Sequence, residues 1–316
     1  MSAETTWLQG LSAFPLTPLR DGALDEHALT ALVRSIVEAG AASIGVLGST
    51  GVYPYLPRDV RRRAIEVAVA AAEGVPVLAG IGALATRDVL ALAEDAQTAG
   101  ASGVLLAPVS YHPLADPEVV GLFSDVAAEL SVPLVVYDNP GTTHVTFTPE
   151  LHARVAALPG VAGIKIPPVP AALPAARERV AQVRSAVPEH VRVGVSGDAV
   201  GAVGLEAGCD LWFSAIGGVL PEQTMAIVRA HEEGRDEEAR ALAAHLDGFF
   251  ALFAEHGGSL RVIAEIAVQR GLVGEDPLPR PLRGLDAAGR ARVADALAAL
   301  AASGDERADG LDIGQG

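Results

Sequence analysis

The chain has 316 residues, a formal net charge of −16, half its residues hydrophobic and only 4% aromatic. Such a length holds one large domain or two small ones around a sizeable core of Ala, Val, Leu and Ile, and 20% charged residues is too few for a disordered polar chain. The acidic balance argues against nucleic acid and anionic membrane surfaces as partners, and no charge-free apolar run reaches the ~18–20 residues that span a bilayer.

Short apolar runs alternate with longer amphipathic ones along the chain. A strand is expected at 11–16, then a helix at 25–39 with Leu29, Leu32, Val33 and Ile36 on one face and Gly40 behind it. Strands at 43–47, 75–80 and 103–107 are followed by helices at 58–73, 87–99 and 116–130. Strands at 133–137, 161–166, 191–195 and 211–214 are followed by helices at 148–158, 171–187, 199–207 and 221–233. Most strand runs are continuously apolar, which suits parallel strands buried on both faces. Eight βα units over about 235 residues point to a (β/α)₈ TIM barrel, usually about 250 residues. The alternative, a doubly wound open sheet, lacks its phosphate-cradling glycine motif after the first strand. Residues 1–235 are therefore read as the catalytic barrel. Residues 236–302 form C-terminal helices packed on it (237–255, 260–270 and 286–301), and 303–316 a flexible tail. The first ten residues carry Glu4 and no basic start, so no signal peptide is expected. The lone Cys209 cannot form an internal disulfide, which suggests a reducing, cytoplasmic setting.

Lysine and arginine total 23, yet Lys165 is the only lysine. It lies inside an apolar strand, where burial disfavours an ammonium and a neutral amine can attack a carbonyl to form a Schiff base. Arginine stays protonated and cannot do this. In a barrel the active site collects where strands end, and those positions hold a coherent set. Strand 2 runs into Gly48-Ser49-Thr50-Gly51, whose hydroxyls and backbone N–H groups suit a carboxylate. Strand 4 leads to Ser110-Tyr111-His112, strand 5 to Tyr137-Asp138-Asn139-Pro140, strand 6 to Gly163-Ile164-Lys165 and strand 7 to Ser196-Gly197-Asp198. Tyr137, on the strand beside Lys165, is placed to shuttle protons.

Other chemistries find less support. The histidines show no metal-binding spacing, and neither a nucleophile elbow nor a phosphate-binding loop is present. No metal and no organic cofactor is implied. His27, His152, His231 and His245 fall in expected helices and read as surface residues. Cys209 reads as packing, and Arg61-Arg62-Arg63 as a solvated helix face.

These elements together resemble the class I, Schiff-base-forming pyruvate aldolases typified by dihydrodipicolinate synthase and N-acetylneuraminate lyase, over residues 8–300. The resemblance rests on GSTG at 48–51, the YxNP-like string at 137–140, GIK at 163–165 and SGD at 196–198. It implies that Lys165 is the Schiff-base lysine, Tyr137 the proton relay, and Ser49 and Thr50 the hydroxyls that meet the keto acid's carboxylate. It places Gly197 and Phe213 along the site and Tyr111 near a tyrosine that reaches into a neighbouring subunit, although alignment through Pro108 and Pro113 puts Ser110 there. It also implies a homotetramer, a dimer of tight dimers. Three departures bear on the substrate. Val52 replaces the acid of the family's usual GTTGE, which reads GSTGV here. Thr142 stands where lysine-pathway synthases carry an arginine that binds the aldehyde's carboxylate, and Ile166-Pro167-Pro168-Val169-Pro170 offers few donors to a polyhydroxylated sugar.

The expected function is that of a lyase acting on pyruvate or another 2-oxo acid through Lys165, by reversible aldol cleavage or by dehydration of a 2-keto-3-deoxy acid. The alternatives are 4-hydroxy-tetrahydrodipicolinate synthase, joining pyruvate to aspartate semialdehyde, and a keto-acid-binding barrel without catalysis.

Overall fold

A computed structural model of the chain describes residues 5–310. Eight parallel strands close into a barrel: β1 (Gly10–Ala13), β2 (Ser43–Val46), β3 (Val77–Gly80), β4 (Gly103–Leu106), β5 (Leu134–Tyr137), β6 (Val161–Ile166), β7 (Arg192–Val195) and β8 (Leu211–Ser214). β1 pairs with both β8 and β2, which completes the ring. The strands are shorter than the apolar runs because the chain turns out of the sheet at each loop. After Ala13, for instance, the Phe14 N–H still donates to the Ser214 carbonyl, but Pro15 has no N–H to continue the ladder.

A helix follows each strand: α1 (Glu26–Ala39), α2 (Arg58–Ala71), α3 (Thr86–Thr98), α4 (Asp116–Ala128), α5 (Pro149–Ala156), α6 (Leu173–Ala186), α7 (Gly201–Glu206) and α8 (Pro221–Glu232). α1 starts where the Asp25 side chain accepts from the Ala28 N–H and stops at Gly40 in the left-handed conformation. Between β1 and α1 lies a two-stranded hairpin, Leu19–Arg20 with Ala23–Leu24. Asp21 and Gly22 both take positive φ at its turn, as a tight hairpin needs.

Two apolar layers result. The outer one joins the strands to the helices, with Leu29, Leu32, Ile36, Phe123, Trp212 and Ile227 fully buried. The inner one fills the barrel with Leu8, Leu78, Leu105, Val135, Ala162 and Leu211 and is topped by Phe14, Tyr137 and Phe213. Barrel interiors of this kind are packed rather than open, so any cavity must lie at an end.

Four further helices follow: α9 (Asp236–Ala244), α10 (Asp247–Glu255), α11 (Leu260–Gln269) and α12 (Ala287–Gly310). The helix expected at 237–255 is thus two. The N–H groups of His245 and Leu246 bond to carbonyls only three residues back, which tightens the turn and ends α9, while Leu246 is fully buried. α12 continues past Ser303, where the tail is expected to begin. Ala301, Ala302, Glu306, Arg307 and Ala308 are all good helix formers. The rest of the expected tail, 311–316, lies outside the described residues. No helix among the described residues is long and apolar enough to cross a membrane.

Candidate active site

The C-terminal ends of the strands open on a cavity of about 420 Å³ lined by Ser49, Thr50, Tyr137, Lys165, Gly197 and Phe213. The pairing of β5 with β6 sets Tyr137 directly beside Lys165, and the pairing of β6 with β7 sets Lys165 beside Gly194. A Cβ at Gly194 would strike the Phe213 ring at 2.4 Å, so the glycine makes room for that ring at the barrel mouth. The lysine is buried. Its Nζ stands 4.2 Å from the ring centre of Phe14, 4.3 Å from that of Tyr137 and 5.5 Å from that of Phe213. An amine walled by three aromatic rings is shielded from bulk water on those sides and open towards the cavity.

The Tyr137 hydroxyl lies 3.3 Å from the Ser49 Oγ and accepts from the Asn139 Nδ2 at 2.9 Å. Ser49 and Thr50 reach the cavity from the turn after β2, Ser49 exposed and Thr50 buried. That turn is bent hard. Leu47 and Val52, both bulky, take φ of 57° and 50°, a region such residues avoid. Gly48 keeps close to the Phe14 ring and Gly51 to the Leu47 backbone, and neither lines the cavity itself.

The bend is braced from behind by Arg61. The Arg61 guanidinium donates to the carbonyls of Gly82 at 3.1 Å and Gly80 at 2.9 Å, and it stacks over Tyr53 at 5.2 Å. Arg61 therefore departs from the solvated face expected for the triple-arginine run: only Arg62 and Arg63 are exposed, each paired with Glu66. Burial pushes the Arg61 guanidinium down to about 10 and the Tyr53 phenol up to about 12. At neutral pH the first is charged and the second neutral.

On the opposite wall Gly197 takes φ of 86°, and a Cβ there would strike Pro168 at 2.6 Å. The Ser196 hydroxyl donates to the Ile166 carbonyl at 2.7 Å, tying β7 to β6 just past the lysine. Asp198 is buried and accepts from the Ser214 hydroxyl at 2.8 Å and from the N–H groups of Ala215 and Ile216 at 3.1 and 3.0 Å. Burial pushes its carboxyl up from the usual range, opposed by these donors and by the charge of Lys165. It locks the loop after β7 to the turn after β8.

Tyr111 and Ser110 stand apart from this cluster. Tyr111 is 87% exposed, with its ring edge-on to His112 at 5.1 Å, and Ser110 donates to the His112 carbonyl at 2.5 Å. Neither lines the cavity. His152, expected at the surface, is instead buried: its Nε2 lies 3.1 Å from an Asp138 carboxylate oxygen and its ring stacks on Phe147 at 5.2 Å. The apolar residues around it on α5, Leu151 and Val155, turn that helix face inward.

Sequence reasoning passed over several lining residues. Asn139, Ser196 and Asp198 fall within the strings at 137–140 and 196–198, so their positions carried the signal, whereas Phe14 lies inside the run expected as the first strand and was given no role. Phe250, Phe253 and Ser259, from α10 and the loop after it, close the outer side of the cavity, and nothing in their local pattern marks them as anything but helix core. A more open depression of about 1070 Å³ at the other end of the barrel is lined by Arg184, Arg192 and Asp210, among others, and holds none of the expected site residues.

Comparison with known proteins agrees with this geometry. The model of the dihydrodipicolinate synthetase family matches residues 7–300. A dihydrodipicolinate synthase from Agrobacterium tumefaciens, known from its crystal structure, superposes with a TM-score of 0.90 at 42% identity, covering 94% of this chain and 99% of that one. A 4-hydroxy-tetrahydrodipicolinate synthase of Hyphomonas neptunium is 33% identical over 297 residues, 90% of this chain and 96% of its own. An uncharacterised DapA-like lyase of Halobacterium salinarum is 32% identical over 285 residues, 89% of this chain and 90% of its own.

Proposed function

The chain belongs to the dihydrodipicolinate synthetase family of Schiff-base aldolases, and from that premise we propose that Lys165 condenses with pyruvate or another 2-oxo acid held by Ser49 and Thr50. The observation that carries this reading is the Lys165 amine at the cavity, between the rings of Phe14 and Tyr137, with the Tyr137 hydroxyl bonded to Ser49. The Lys165 nitrogen attacks the keto carbon, and its oxygen takes up a proton to give a carbinolamine. Tyr137 protonates that hydroxyl, which leaves as water and gives the protonated imine and a Tyr137 phenolate. The imine then accepts an electron pair at nitrogen. The pair comes from the C3–C4 bond, with an aldehyde leaving as Tyr137 takes its hydroxyl proton. In a 3-deoxy substrate it comes from the C3–H bond, whose proton the Tyr137 phenolate takes and then hands to the C4 hydroxyl, which leaves as water.

In this reading residues 1–235 carry the reacting groups, and helices of 236–302 close the cavity. Among the described residues Lys165 is the one basic side chain lining it, and Thr142 sits exposed on the turn after β5. That favours a leaving aldehyde without a carboxylate of its own, because an arginine–carboxylate pair is worth a few kcal/mol. Synthesis from aspartate semialdehyde is the second reading, favoured by the names of the relatives.

Borohydride reduction in the presence of pyruvate, followed by peptide mapping, tests the chemistry. A reduced adduct on Lys165 is expected in the native chain and none in K165A, with an unchanged circular dichroism spectrum. Turnover undiminished in K165A would overturn the assignment. We assign the protein to a reducing, cytoplasmic setting on its single buried cysteine, and to a homotetramer. Tyr55, Leu84 and Tyr111, the exposed large hydrophobics among the described residues, sit on three successive loops at the cavity end. Light scattering is expected to give four times the chain mass, and a monomer would refute the assembly.

A further inference from the structure

Two hydrogen-bond partners meet the Tyr137 hydroxyl, and only one of them has been given a role. Asn139 Nδ2 can only donate, so at 2.9 Å the phenol oxygen is the acceptor. The phenol's own proton is thereby directed away from Asn139, towards Ser49 or a molecule in the cavity. The amide is free for this task because the backbone already secures the turn. The Asn139 carbonyl accepts from the N–H groups of Thr142 and Thr143 and from the Thr143 hydroxyl, at 3.1, 3.0 and 2.9 Å. Its side chain takes no part in capping. The hydroxyl of Ser110 is committed to the His112 carbonyl, and Tyr111 points into solvent, so neither competes for Tyr137 within the chain.

We infer that Asn139 is a positioning residue for proton transfer, its amide N–H holding the Tyr137 oxygen and supporting the negative charge on it between two proton transfers. The inference rests on the Schiff-base reading above. Tyr137 gives its proton to the carbinolamine hydroxyl, which departs as water, and the resulting phenolate takes a C3 proton from the imine, leaving the enamine and the neutral phenol. During the interval the phenolate is the developing charge that a fixed N–H donor stabilises. The assignment separates Asn139 from Ser49, which lies on the side where the phenol proton goes.

Pyruvate alone suffices for the test, since enamine formation exchanges its C3 hydrogens with solvent. The exchange rate in deuterium oxide, followed by proton NMR, is compared among the native chain, N139A and N139D, with the yield of borohydride adduct at saturating pyruvate measured alongside. Both variants are expected to exchange about tenfold more slowly or worse, the size of one lost donor to a charged oxygen, with adduct yield within about twofold of native. Asp keeps the shape and an accepting oxygen but loses the donor, so N139D decides the matter alone if N139A fails to fold. Native-rate exchange in N139D would mean that the side chain acts by accepting, and native-rate exchange in N139A that it does not act at all. Loss of adduct in parallel with exchange would make Asn139 a binding or structural residue. Each of these three results overturns the inference. A native chain that gives neither adduct nor exchange would instead overturn the Schiff-base reading.

Discussion

Arg61 carries more of the site than its distance from Lys165 suggests. Its two carbonyl acceptors, Gly80 and Gly82, lie at the end of β3 and just beyond it. Gly80 in turn presses so closely on the Leu47 carbonyl that a Cβ would come within 1.9 Å, and Leu47 begins the strained turn that delivers Ser49 and Thr50. Two effects compete when Arg61 is replaced by Met. Removing a buried charge relieves its desolvation, which in a buried ion pair can break even or gain. Here, however, the partners are backbone carbonyls that stay behind unpaired, each at a cost of about 1–3 kcal/mol. The second effect outweighs the first, so R61M should unfold in urea with about 2–4 kcal/mol less stability, together with weaker pyruvate binding. A midpoint equal to native would show that water replaces the guanidinium. The signal for this brace was hidden by its neighbours. Three consecutive arginines read as one exposed run, but only the first falls on the α2 stripe with Ala64, Ile65 and Ala68.

Among the elements, α10 has the largest consequence for what the cavity accepts. The tightened turn at His245 and Leu246 lets Phe249 and Phe250 bury while Phe253, 5.9 Å from Phe250, stands at the cavity rim. Phe250 is 8% exposed and lines the cavity. Truncation to Ala should cost about 2–4 kcal/mol, towards the lower side of the range for core phenylalanine because one side of the ring faces the cavity rather than packed atoms. The same change should raise the KM for the substrate far more than that for pyruvate, since Ser49, Thr50 and Lys165 hold the keto-acid end. Steady-state kinetics of F250A with both ligands separate these, and an equal rise in both constants would mean that the helix supports the whole barrel mouth. Neither residue between α9 and α10, His245 or Leu246, is Gly or Pro, and Gly248 lies inside α10 with its open side against Ala296. The helix period continues across the break, and only the burial of Leu246 in the tertiary structure decides where it falls.

For the molecule as a whole, the barrel was legible because each parallel strand is a continuous apolar run followed by an amphipathic helix, and that alternation leaves few architectures open. The site was legible where chemistry sits at strand ends, since one lysine inside a buried strand has few structural explanations. What remained hidden came from elsewhere in the chain: the aromatic wall from α10, the pairing of Asp138 with His152, and the hairpin at Asp21-Gly22, too short for a hydrophobic period. Those features depend on which surfaces meet, which local pattern does not encode.

The solitary, buried Lys165 also sets how the protein meets reagents made for amines. Its described surface presents guanidinium groups as its only side-chain cations besides any protonated histidine, so an activated ester or an amine cross-linker reaches the one lysine side chain, Lys165, only through the cavity mouth. A general amine label thereby becomes a label for the site, blocked by whatever fills it. A lysine-directed protease has a single cleavage point, inside β6, so its cut reports that the barrel itself has opened.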